Sequence, residues 1–423
     1  MQLHHFRNPR LWRIPVIMIV LLSIALPACY LSGIADPQAH LRNLPVGLVL
    51  TPQEPGGTSG AAEALAEGIR TGADPDKIDV TTMTATEMSA RFADDEIYGA
   101  VVIPADFERS LSSLTSNDAI VRPVVTVRTN AGEGSLAVGL VSGNLGPVLA
   151  AAQRTLGDRL RAAAGTGLTP AQSLVLQEPF TVSTMPDQPL PAESGYGLTP
   201  FYLALVAILI GFIGASTIHP SLDAAIGFAP SELGPLTSRR PYQWAGRVTT
   251  LLAKFAVLTG VAPVAAALLQ LVATTVIGVP VSHPVELWLL LTATIIAVGV
   301  GTLSVFAAFG SPGALINTFF FVALSLASGP TVPVEALPGW LRSLNTVTAM
   351  NPVLDGVRAI LFFDARGAAG LSHAWIRLGI GAAAGAALGL LAAWLYDRNP
   401  RLTRHPLPST PADAPAPVPV PQT

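Results

Sequence analysis

Apolar positions follow two different patterns along the chain, and the change falls near residue 197. Before it, short apolar runs alternate with segments of helical spacing. "VGLVL" (46–50), "IDVTTM" (78–83), Ala100–Ile103 and "RPVVTVRTN" (122–130) read as strands. Between them, "GTSGAAEALAEGIRTG" places Ala62, Leu65 and Ile69 on one helical face, with Thr58 or Ser59 as its cap. "TATEMSARFADD" carries a Thr84–Glu87 pair with capping-box spacing. Pro104 is placed to open a helix bearing Phe107, Leu111 and Leu114. A long helix is predicted over about 133–164. This β-α-β-α-β-α-β order implies a parallel or mixed sheet covered by helices. "PGGTSG" lacks the lysine and spacing of a phosphate-binding loop, so it reads as a turn and helix cap. "TVSTMPDQPLPAESGYGLTP" (181–200), rich in Pro, Gly and Ser, reads as an extended linker.

After 197 the apolar runs lengthen to the roughly 20 residues that cross a bilayer. Spans are predicted at Gly197–Thr217, Val248–Val279, Leu287–Phe309, Ala314–Ser328 and Leu378–Tyr396. A further one precedes the α/β segment, at Ile14–Ile34. The expected fold is therefore a polytopic α-helical membrane protein, six transmembrane helices arranged 1 + 5. An extracytoplasmic α/β domain separates the first helix from the second. The expected divisions are 1–35 (cytoplasmic N-terminus and first helix), 36–196 (α/β domain with long helix and linker) and 197–396 (five-helix membrane domain). An outer amphipathic hairpin at 332–364 belongs to the last of these. The Pro/Ala-rich tail, 397–423, is expected to be disordered and cytoplasmic.

Composition agrees with this picture. Half of the 423 residues are hydrophobic and only 12% are charged, against about 25% in soluble domains. A net charge of −3 does not suggest a nucleic-acid partner. The single cysteine, Cys29, excludes an internal disulfide and a Cys-rich metal site. "LPAC" (26–29) would instead make Cys29 a lipid anchor, were the first span a signal peptide. Pro27 and the apolar continuation "YLSGIA" favour an uncleaved span.

Orientation follows lysine and arginine. Arg7, Arg10 and Arg13 precede the first span, Arg239, Arg240 and Arg247 lie between the second and third, and Arg398, Arg401 and Arg404 follow the last. Both termini are thus expected in the cytoplasm of a cell (plasma or inner) membrane. Segment 36–196, with 19 acidic and 10 basic residues, faces outside. The segment holding Arg342, Arg358 and Arg366 is placed outside by the alternation of spans, and Glu335, Asp355 and Asp364 balance it.

Candidate residues are few. Lys254 lies in the third span, where a charge either snorkels to the interface or marks function. Gln270, Asn317 and Thr318 either line a cavity or bond between helices. Gly381, Gly385 and Gly389 recur every four residues, as in closely packed helix pairs, within one subunit or across a dimer. In the hairpin, Leu337, Trp340, Leu341 and Leu344 form one apolar face and Leu354, Val357, Ile360 and Leu361 another, with Pro352 between them. These read as two short helices lying at the outer membrane surface or dipping into it, or as a loop that packs on the bundle. No catalytic set, cofactor or metal spacing stands out, and Asp94, Asp95 and Glu96 read as a solvated turn. The chain is not expected to be an enzyme.

Three stretches carry a resemblance: "NLPVGLVLTPQEPGGTSGAAEAL", "ADDEIYGAVVIPADFERSL" and "PVEALPGWLRSLNTVTAMNPVLDGVRAI". In this order they resemble the membrane subunits of type-2 ABC exporters. The likeness is to the group with a large outer domain, which includes the phage-infection-protein (Pip) and nitrosoguanidine-resistance-like proteins. Pro333, Leu337, Pro338, Trp340, Leu341, Pro352 and Arg358 stand where that pattern has such residues. The resemblance implies a permease exporting a substrate, a separate ATP-binding-cassette ATPase, and a homodimer or related permease. Arg239, Arg240 and Arg247 would then form the ATPase-coupling loop, although "PSLDAAIGFAPSELGPLTSRRPYQW" does not match a coupling helix. A non-transporting membrane scaffold or receptor, its outer domain docking envelope or secretion partners, is the other reading.

Overall fold

The computed structural model describes residues 36–399 except 55–59, 117–119, 166–167, 234, 239 and 328–331. It also describes Leu402 and isolated positions between 16 and 31. Much of the expected first span, Cys29, Arg239, the Thr58 and Ser59 cap positions and nearly all of the 397–423 tail therefore lie outside the described residues.

The soluble-patterned half is a five-stranded mixed sheet. Its strands are β1 (Leu44–Leu50), β2 (Ile78–Met83), β3 (Gly99–Ile103), β4 (Val124–Thr129) and β5 (Thr181–Pro186), in the order β2-β1-β3-β4-β5. β1 pairs in parallel with both β2 and β3, β3 with β4 antiparallel, and β4 with β5 in parallel. Covered on both faces, β1 is apolar nearly throughout, as parallel strands are. Leu44, Val46 and Leu48 point to one core, and Val49 points to the opposite one with Met83 and Ala100.

Helices α1 (Ala61–Gly72), α3 (Phe107–Ser113) and α4 (Ser135–Ala164) cover the first face. Helix α2 (Ala85–Ala93) covers the second through Met88 and Phe92, and the Thr84 hydroxyl accepts from the Glu87 N–H at 3.2 Å. Pro104 stands ahead of the cap residue Asp106 rather than in the first turn of α3. The linker reading of 181–200 needs a larger correction. After the short helix α5 (Pro170–Val175), "TVSTMP" becomes the edge strand β5, because β4 offers it a free row of backbone groups.

Five helices among the described residues are long and apolar enough to cross a membrane. One is α4, whose Leu140, Val141, Leu145 and Leu149 pack into the sheet core. The other four are α6 (Thr199–Ala225), α7 (Arg247–Leu271, prolonged by a wide π turn over Val272–Val276), α8 (Pro284–Phe309) and α12 (Ser372–Arg398, preceded by the turn Gly367–Leu371). The fifth expected span is the shorter α9 (Gly313–Asn317), which continues through a π turn at Thr318–Ala323. Helix α8 is apolar all round and is enclosed by α6, α7 and α12, as expected of a buried helix.

Between α9 and α12 run α10 (Gly339–Asn345) and α11 (Met350–Phe362). Their apolar faces are buried in protein, in two different cores. Leu337 and Leu341 enter the sheet core with Val332 and Ala336, whereas Val353, Leu354, Val357 and Ile360 of α11 join the bundle core. The Arg42 N–H also donates to the Glu335 carbonyl at 2.9 Å. Each helix has an apolar face, and each face finds a different protein core, so the hairpin bridges the α/β unit and the bundle. Trp340 stays 46% exposed beside the capping Pro338.

Candidate functional site

Polar groups gather at that bridge. Arg358 on α11, 8% exposed, donates through Nη1 to both Glu133 carboxylate oxygens (2.9 and 2.8 Å) and through Nη2 to the Glu133 carbonyl (3.3 Å). Glu133 ends the 3₁₀ turn Ala131–Glu133 just before α4, so this fork ties α11 to the α/β unit. The Tyr98 hydroxyl donates to Glu335 Oε2 at 2.8 Å, and Arg366 pairs with Asp94 at 3.3 Å. Asp95, in a left-handed conformation (φ 58°), accepts from Asn130 Nδ2 at 2.6 Å. The stretch expected to be a solvated turn is thus partly built into the junction. Pro352, buried in the first turn of α11, completes one wall. A cavity of about 450 Å³ opens among these residues.

The electrostatics follow from burial. Burial, then the neighbouring Glu133, pushes the Asp95 carboxyl well above the usual carboxylate range. Burial raises Glu335 and, reinforced by Glu133, raises Tyr98. Burial lowers the proton affinity of Arg358, but Glu133, Asp95 and Asp355 outweigh it and leave the guanidinium more firmly protonated. Burial pushes Asp355 up to about 7 against the pull of Arg358, with Glu133 and Glu335 adding to the rise. The folded protein therefore keeps this proton between about pH 4 and 7, where the unfolded chain has lost it. More protons are bound in the folded state, so this group's contribution to stability falls as pH rises through that window and levels off above 7. Asp355→Asn should gain stability relative to wild type from pH 4.5 to pH 8. Unfolding midpoints of both proteins at the two pH values check this, and parallel midpoints would refute it.

At the far end of the bundle, α6, α7, α8 and α12 are tied together. Lys254 is 2% exposed, pairs with Asp223 at 2.9 Å and meets His219 Nδ1 at 3.0 Å. The His219 ring stacks on Phe306 with centroids 4.7 Å apart. Lys254 therefore does not snorkel, because Asp223 on the neighbouring helix supplies an anion at 2.9 Å. Asp397 of α12 accepts from the Arg247 and Val248 N–H groups at 3.0 and 3.1 Å, satisfying the start of α7. Arg247 lies over the Tyr396 ring and donates to the Leu402 carbonyl.

The loop between α6 and α7 folds as a small hairpin, Ser231–Leu233 with Leu236–Ser238, rather than a helix. Leu236, Arg240 and Trp244 are exposed on it.

The remaining candidates are scattered through the bundle. Asn317 is fully buried and donates to the Thr302 carbonyl at 3.1 Å, and Gln270 donates to the Pro284 carbonyl at 2.9 Å. Both bonds join one helix to the next. A Cβ on Gly385 would come within 3.2 Å of the Gly301 Cα, and one on Gly389 within 2.5 Å of Ser304 Oγ. Two of the three glycines thus let α12 approach α8, and Gly381 faces open space. The sequence reading missed Glu133, Tyr98, Asp223, His219 and Asp397, and took Asp95 for part of a solvated turn. The one available signal was the matched acids and arginines of 335–366.

An α/β unit clamped to a bundle of bilayer-length helices defines a multi-pass membrane protein. The chain belongs to the ABC-2 transporter family, since the family model "ABC-2 family transporter protein" matches residues 11–394 and so spans both parts. No curated protein matches it. Membership makes it a membrane subunit of an ABC transporter, a permease rather than an enzyme.

Proposed function

We propose that the chain is the permease of a type-2 ABC exporter of the Pip and nitrosoguanidine-resistance-like group. The first apolar segment, α6, α7, α8, α9 and α12 would make six spans, with both termini in the cytoplasm and the α/β unit outside. The observation that carries this reading is the bridge. The α/β unit is locked to the bundle through α10 and α11, so a movement of the helices reaches it directly. Two copies, or one with a related permease, would enclose the path. A separate ATPase would dock on the 226–246 loop, where Leu236 (73% exposed) and Trp244 (79% exposed) stand beside Arg240. Arg239, by its place in the sequence, would act with Arg240, and Arg247 would transmit the movement through α12.

Affinity purification from native membranes in mild detergent, followed by mass spectrometry, should recover a stoichiometric ATP-binding-cassette protein. Trp244→Ala and Leu236→Ala should each reduce that recovery. The edge strand β5, with Val182 and Met185 exposed, favours the second reading, a scaffold or receptor that docks partners by strand addition. Recovery of envelope proteins alone, in several detergents, would select it.

A further inference from the structure

Two cavities meet at α12. The polar one at the bridge, about 450 Å³, and an apolar groove of about 510 Å³ share Thr346, Pro352 and Arg377 in their walls. Phe320, Gly381, Ala384 and Leu388 line the groove. Both volumes are in the range of ligand sites. The two ends differ in chemistry. Asn351 Oδ1 and Arg342 Nε at the polar end are buried atoms with no hydrogen-bond partner among the described residues. Arg342 otherwise bonds the Glu335 and Leu337 carbonyls, and Arg377 bonds the Thr346 carbonyl and His373. Neither arginine forms an ion pair among the described residues, whereas Glu133 and Asp94 in the same walls are paired with Arg358 and Arg366. Asp95 and Asp355 also line the cavity, and Glu335 lies within electrostatic reach of Arg342, so Arg377, at the mouth the two cavities share, is the guanidinium with no carboxylate partner among the described residues.

The dimensions point the same way. From Arg377 to Leu388 is eleven residues of helix, about 16 Å at 1.5 Å per residue. That is roughly half of a ~30 Å hydrocarbon core, the reach of one acyl chain in one leaflet. Gly381 lines the groove, and a Cβ there would enter open space. The wide turn at Thr318–Ala323 carries Phe320 and Phe321 into its opposite wall.

We infer that this continuous slot binds an anionic amphiphile, its head group against Arg377 and Arg342 and its tail along α12 between Gly381 and Leu388. The tail lies in the apolar groove and the head group enters the polar cavity beneath α10. As a cargo site this deepens the exporter reading and rests on it. As a binding site it needs no ATPase.

The test uses the full-length protein in a nonionic detergent, with equal amounts of phosphatidylglycerol and phosphatidylcholine carrying the same chains. Bound lipid is counted by native mass spectrometry. Wild type should retain phosphatidylglycerol about tenfold over phosphatidylcholine, the ratio expected from one charge-assisted hydrogen bond. Arg377→Gln, an exposed position, should bring the ratio close to one. Gly381→Leu should fill the groove and remove both lipids, with an unfolding midpoint like that of wild type. Equal retention by wild type, or a preference that neither variant alters, would show ordinary boundary lipid and overturn the inference. Either negative result leaves the ATPase recovery experiment, and so the exporter reading, untouched.

Discussion

Arg358→Ala should destabilise the full-length protein by about 3–5 kcal/mol, the cost of breaking a buried ion pair by removing one partner. The loss exceeds that of an exposed pair because nothing replaces the guanidinium. Glu133, with only 12% of its side chain exposed, would be left facing Asp95 and Asp355 across the cavity. Three hydrogen bonds would go with it. Arg358→Met combined with Glu133→Gln should recover most of the stability, since removing both charges also removes the unpaired one. The measurement is the denaturant midpoint in detergent for the single and double variants. Limited proteolysis should also cut Arg358→Ala faster around 187–198, once the α/β unit loosens from the bundle. A single variant with a wild-type midpoint would mean that Arg358 does not hold the two parts together.

Lys254→Met should cost a similar 3–5 kcal/mol, for the same reason in a different setting. Lys254 and Asp223 are 2% and 6% exposed, and the ammonium is also within 3.0 Å of His219. Methionine fills the space of the lysine stem but removes the ammonium 2.9 Å from Asp223, while His219 stays at 3.7 Å. Lys254→Met with Asp223→Leu should regain most of the loss. A snorkelling lysine would behave differently, because its head group is already solvated and methionine would change little. Unfolding midpoints of the two variants in one detergent separate these cases, and a near-neutral single substitution would rule out the buried pair.

The apolar pattern contained most of the architecture. β1 to β4, the helices α1 to α4, and α6, α7, α8 and α12 all lie close to where periodicity and length placed them. These are local properties, since a strand or a bilayer-length helix declares itself within its own residues. The glycines of α12 were readable for the same reason, and Gly385 and Gly389 meet α8 at backbone distance.

The errors arose where a partner from elsewhere in the chain settles the outcome. "TVSTMP" carries too weak a signal to stand as a strand alone and becomes one only beside β4. Leu337 and Leu354 look equally amphipathic, yet one enters the sheet core and the other the bundle. Lys254 stood open between interface and functional site because Asp223, 31 positions away, comes close only once α6 packs on α7. Glu133 and Arg358 stand 225 positions apart. By itself, the sequence determined which segments are strands and which are membrane-length helices, because hydrophobic burial acts over one element at a time. Only the tertiary structure decided which charges are paired and where the hairpin goes, because a buried ion needs its counter-ion within a few ångströms and chain order does not record that distance.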